Sequence, residues 1–135
     1  ERGSTSFTDT IQPGPEGKDA FVGYILWPDE SESYTGYGDT KTLEIKRGYA
    51  GGHGIEKESF IEFPLSSIPQ NTSVSSAKLR VYGYGSTNSL TDLPTIVLSK
   101  LNSSWKESEV KWDSKPQKTK ILEITNTFKT GIISR

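Results

Sequence analysis

Residues 20–27 read Ala-Phe-Val-Gly-Tyr-Ile-Leu-Trp. This nearly unbroken apolar run is rich in β-branched and aromatic side chains, which favours an extended strand. It is far shorter than the ~18 apolar residues a membrane-spanning helix requires. Upstream, residues 11–18 (IQPGPEGK) hold two Pro and two Gly and read as a turn, preceded by a small, polar lead-in over 1–10. Downstream, residues 28–39 are polar and acidic and are expected to form a long surface loop. The 42–47 stretch (TLEIKR) alternates, with Leu43 and Ile45 on one face, and predicts a second strand. Residues 48–54 (GYAGGHG), with four glycines, predict a flexible loop.

The pattern continues to the C-terminus. Residues 59–65 (SFIEFPL) alternate, placing Ile61, Phe63 and Leu65 together. Residues 77–84 (AKLRVYGY) give the cleanest period of two: Ala77, Leu79 and Val81 face one way, and Lys78, Arg80, Tyr82 and Tyr84 the other. Further strands are predicted at 95–101, 109–112 and 120–127. Ser104 and Glu107 fit a helix capping box, but 104–110 is read as a turn between strands. About seven short strands, turn signals between them and no convincing helix predict an all-β fold. The expected form is an antiparallel β-sandwich of jelly-roll type, one domain over 11–135.

Composition agrees. Hydrophobic residues make up 31% of the 135, enough for the thin core between two sheets. Ser and Thr number 32 between them and Gly 13, favouring strands and turns over helices. A net charge of −1 gives no bulk attraction to nucleic acid or anionic membrane. With no Cys, neither disulfides nor thiolate metal sites are available. With no Met, the chain is expected to be a processed piece of a longer protein.

Three segments together resemble a known family: residues 12–20 (QPGPEGKDA), residues 60–69 (FIEFPLSSIP) running into 75–82 (SSAKLRVY), and residues 105–112 (WKESEVKW). Over about 11–125 they look like the DNRLRE-type carbohydrate-binding domain, including the disaggregatase-related repeats of methanogenic archaea. The Asn-Arg-Leu-Arg-Glu signature itself is absent, and the chain ends earlier than family members do. The resemblance implies a β-sandwich and a non-catalytic carbohydrate-binding module of a larger extracellular or cell-surface protein, with a polysaccharide as ligand. The early end implies either a missing C-terminal edge strand or a domain formed from fewer residues; either would leave an open sheet edge that a neighbouring domain or chain could cover. A structural or adhesive surface repeat is the alternative, and a fragment of a polysaccharide-degrading enzyme a further one.

Two surface groups suit an acidic, uronic-acid-containing polysaccharide, because cations pair with carboxylates and aromatic rings stack on sugar CH faces. The first is Lys78, Arg80, Tyr82 and Tyr84, expected on one strand at steps of about 6.8 Å. The second gathers Tyr34, Tyr37, Lys41, Lys46, Arg47 and Tyr49. Trp27, ending a strand, is a further ligand candidate, whereas Trp105 and Trp112 read as core anchors. A solvated surface explains either group equally well. His53, the sole histidine, is read as a loop residue; its functional reading is a lyase proton-transfer pair with Tyr49. No cofactor is required. Calcium, which takes oxygen ligands from loops, would rest on Asp19, Asp29 and Asp39.

Overall fold

The structure, a computed structural model, describes residues 6–27, 32–38, 41–81 and 95–125. Its strands are β1 (Lys18–Leu26), β2 (Glu32–Tyr37), β3 (Lys46–Ala50), β4 (His53–Glu62), β5 (Thr95–Leu101) and β6 (Lys118–Thr125). The one helical element among the described residues is a 3-10 turn at Trp112–Ser114. All pairings are antiparallel, in a four-stranded sheet ordered β2-β1-β4-β3 and a two-stranded sheet β5-β6. The fold is all-β, and its antiparallel sheets are consistent with a β-sandwich.

The chain divides into two compact units. The first joins residues up to 72 with residues 104–116 and contains the four-stranded sheet. Here the apolar run that opened the sequence is the central strand. Ala20, Phe21, Val22 and Gly23 are all buried, so both faces of β1 are covered, and the run is continuous rather than alternating for that reason. Paired residues share a face. One face therefore holds Val22, Tyr24 and Leu26 of β1, Gly54, Glu56, Glu58 and Phe60 of β4, and Arg47 and Tyr49 of β3.

Residues 104–116 cover part of that face. Trp105 is 7% exposed and meets Phe60, ring centroids 5.9 Å apart. Val110 is buried, and Trp112 stacks on Tyr24 at 5.6 Å. Lys18 Nζ donates to Glu62 Oε1 (2.9 Å) and to the Trp105 carbonyl (3.3 Å), and lies over the indole. Lys115 pairs with Glu58 (2.9 Å).

Several expectations are corrected. Within the expected loop 28–39, residues 32–37 pair along β1 from Phe21↔Tyr37 to Leu26↔Glu32; as an edge strand, β2 needs little apolar content. The 42–47 strand shifts to 46–50, and the "flexible" 48–54 loop is instead a hairpin closed by Gly51 and Gly52 between Ala50 and His53. Both glycines have positive φ, 61° and 85°, the backbone of a two-residue type I′ turn, which sets the register of both strands. Residues 43–45 leave the sheet; Glu44 takes an ion pair from Lys57 (2.6 Å), and its carbonyl accepts from Ser59 Oγ (2.7 Å). Residues 109–112 form no strand. The amides of Glu109 and Val110 both donate to the Lys106 carbonyl, and Ser114 Oγ accepts from the Lys111 amide. Finally, residues 77–81 carry no strand ladder and are exposed, while 82–84 lie outside the described residues. Among the described residues no strand pairs with that alternating stretch, and alternation without a partner makes no ladder.

The expected strand at 59–65 starts earlier, at His53, and stops at Glu62, before Phe63 and Pro64, since Pro cannot donate to a ladder. In the second unit, β5 matches its predicted span, and β6 starts at Lys118. Leu98 pairs with Leu122, and an irregularity follows at Leu98/Ser99. Asn102 ties the strand ends together, its amide donating to the Gln117 carbonyl (2.8 Å) and its Nδ2 to Thr119 Oγ1 (2.7 Å).

The hairpin gives a first prediction. Gly52→Ala forces a side chain into the left-handed region and should lower stability by about 1–2 kcal/mol, although nothing lies within 4 Å of its would-be Cβ. Urea denaturation would measure the loss; no change would show that the turn does not set the register.

Candidate functional site

The part of the first face that residues 104–116 leave open lies towards the hairpin. Two register rows define it. In one, Arg47 of β3 pairs with Glu56 of β4, which pairs with Tyr24 of β1. In the next, Tyr49 pairs with Gly54, which pairs with Leu26. Tyr49 is 86% exposed. A Cβ on Gly54 would sit 3.9 Å from Tyr49 Cε1 and 3.7 Å from Leu26 Cβ, so the tyrosine ring leans over the bare glycine. One edge of the ring approaches the glycine, and most of the ring stands in solvent.

Arg47 lies two residues before Tyr49 on the same face, its side chain 88% exposed. Its Nε makes an ion pair with Glu56 Oε1 at 2.8 Å. This occupies one edge of the guanidinium and leaves the terminal nitrogens for a planar acceptor such as a carboxylate. Beyond Tyr24, Trp112 is not a free platform: Tyr24 stacks on it, and Lys115 Nζ stands 3.3 Å from its ring centroid.

Trp27, just past the end of β1, is 41% exposed. Its ring contacts His53 at 4.6 Å, tilted by 58°. His53 Nδ1 is buried without a hydrogen-bond partner. His53 neighbours Gly54, the residue paired with Tyr49, so strand alternation puts His53 and Tyr49 on opposite faces. The pair considered above as a lyase dyad is therefore not assembled on one face.

The sequence candidates are dispersed. Arg47 and Tyr49 come together; Lys46, one residue earlier on β3, faces the other way, and Lys41 is exposed outside the strands. Tyr37 ends β2 opposite Phe21, and Tyr34 pairs with Tyr24. Lys78 and Arg80 are exposed and belong to no strand, so the expected single-strand spacing is not realised. Tyr82, Tyr84, Asp29 and Asp39 lie outside the described residues. Asp19 is half-buried within β1, and among the described residues no three His, Asp or Glu side chains gather as a metal site. Leu26, Gly54 and Glu56 were not among the candidates; only the register reveals them.

With this geometry in view, a family model described as carbohydrate-binding module family 96 matches residues 16–132. The chain belongs to carbohydrate-binding module family 96. The match starts just before β1 and extends past the end of β6, so it covers both units. No curated protein and no solved structure matches the chain. Family 96 membership makes the chain a carbohydrate-binding module, a class that is typically non-catalytic. Among the described residues, no helix is long and apolar enough to cross a membrane.

Proposed function

We propose that this module binds an acidic, uronic-acid-containing polysaccharide on the open sheet face formed by Arg47, Tyr49, Leu26 and the backbone at Gly54, without turning it over. The observation behind this reading is the exposed Tyr49 ring lying over Gly54 beside an exposed Arg47 with one guanidinium edge already held by Glu56. A sugar ring offers an apolar CH face to the tyrosine, and its carboxylate takes two parallel hydrogen bonds from the arginine. Arg47 and Tyr49 both stand largely in solvent, which suits the interior of a long chain better than an enclosed single residue. The same reading places 11–135 as one jelly-roll module, related to DNRLRE-type domains, within a larger extracellular or cell-surface protein.

The test is binding to polyuronates and to neutral glucans at low and high salt, with release of reducing or unsaturated products scored in the same samples. Binding to a polyuronate that weakens severalfold as salt rises, with no product, is the expected result. Salt-independent binding to neutral glucan alone, or any product release, would overturn the proposal.

A further inference from the structure

A half-open pocket of about 660 Å³ lies between β2 and the turn at 106–111, on the same sheet face as Arg47 and Tyr49 but at the end that residues 104–116 cover. That volume falls within the roughly 300–1,000 Å³ of small-ligand sites. Two glycines shape it. A Cβ on Gly36 would collide with the Val110 carbonyl, and one on Gly38 would lie 2.7 Å from the Glu107 carbonyl and 3.0 Å from its Cγ. The turn can therefore seat directly on the strand only because β2 and the residue after it lack side chains at those positions. The resulting wall is backbone, with the buried Val110 as its apolar part.

The charges lining the pocket are of two kinds. Lys18 is engaged by Glu62 and the Trp105 carbonyl, and Lys106 by Glu109 (2.9 Å). Lys111 and Glu107 have no ion-pair partner among the described residues, and Ser108 adds a hydroxyl. One ammonium donor, one carboxylate acceptor and one hydroxyl make a poor site for a bare anion, because Glu107 would repel it. They complement neighbouring sugar hydroxyls, which accept from a lysine and donate to a carboxylate. Among the described residues that line the pocket none is aromatic, and what they offer a ligand is hydrogen bonding.

We infer that the module carries a second sugar site in this pocket, which takes a single pyranose ring through its hydroxyl groups, whether or not that ring bears a carboxylate. The inference rests on the carbohydrate-binding reading of the chain but not on the Arg47–Tyr49 face. Two sites on one module raise the avidity for a polymer long enough to reach both.

The test is an amide-resolved NMR titration of the intact chain with methyl glucoside and with methyl glucuronide. Saturable shifts confined to residues 36–38 and 106–111, from both probes, are expected. Lys111→Ala and Glu107→Gln should each weaken binding roughly tenfold, since each removes one charge-assisted hydrogen bond. Lys100→Ala, the same charge change on β5, should leave it unaltered, and Ser108→Trp should abolish it by filling the pocket. Polyuronate binding without shifts at 106–111 would overturn the pocket and leave the sheet face standing. Shifts that survive both Lys111→Ala and Glu107→Gln would overturn it as well. No response to either probe or to any polymer would overturn both readings.

Discussion

Trp105→Ala should cost about 3–5 kcal/mol of stability, the range for emptying a large buried aromatic site. Domains of this size are stable by only about 5–15 kcal/mol, so the variant should be partly unfolded at ambient temperature or close to it. The indole is 7% exposed, meets Phe60, lies beneath Lys18 and belongs to the segment that closes over the sheet. Trp105→Phe is expected to behave differently. Trp105 Nε1 is buried without an acceptor, a desolvation cost the native side chain already bears. Phenylalanine keeps a ring against Phe60 and removes that orphaned N–H, so its net cost should stay below about 1.5 kcal/mol. Urea denaturation followed by the fluorescence of the remaining tryptophans separates the two variants. Equal losses would show that the indole itself, rather than an aromatic filler, is required.

The contrast between legible and illegible elements has a physical basis. β1, β5 and β6 were readable because each is a run of apolar or β-branched residues whose local chemistry favours extension. β2 was not, because an edge strand such as Glu32–Tyr37 is held by the ladder it borrows from β1 and needs no apolar signature of its own. The Gly51-Gly52 turn was written in the sequence as a hairpin signal, but the glycines around it at 48 and 54 made the whole stretch look mobile. At 109–112, Val110 and Trp112 alternate as a strand would, yet they pack down onto the sheet while the Lys106 carbonyl turns the chain. At 77–81 the alternation is real, but a strand also needs a partner, and partners are not local. The site divides in the same way. Arg47 and Tyr49 were recognisable as an exposed cation and aromatic. Their neighbours Gly54, Leu26 and Glu56 depend on cross-strand register, which only the folded sheet supplies.

For the open face, the two central side chains should fail in different ways when removed. Arg47→Ala removes charge-assisted hydrogen bonds, each worth about 1.5–3 kcal/mol, so affinity for a polyuronate should fall roughly 10- to 100-fold. The loss should be largest at low salt, and the variant's remaining binding should respond less to salt than the native module's. Arg47→Lys should recover only part of the affinity, because a single ammonium cannot match a carboxylate with two parallel bonds. Tyr49→Ala removes a stacking surface instead. Its loss, roughly tenfold, should be nearly the same at every salt concentration, since burial of a CH face is not screened. Neither variant should lower stability much, as both side chains stand largely in solvent. Isothermal titration across a salt series reads both effects together. If the two variants lose affinity with the same salt dependence, the ligand does not divide its carboxylate and its ring between them. If neither loses affinity, the polysaccharide binds elsewhere on the module.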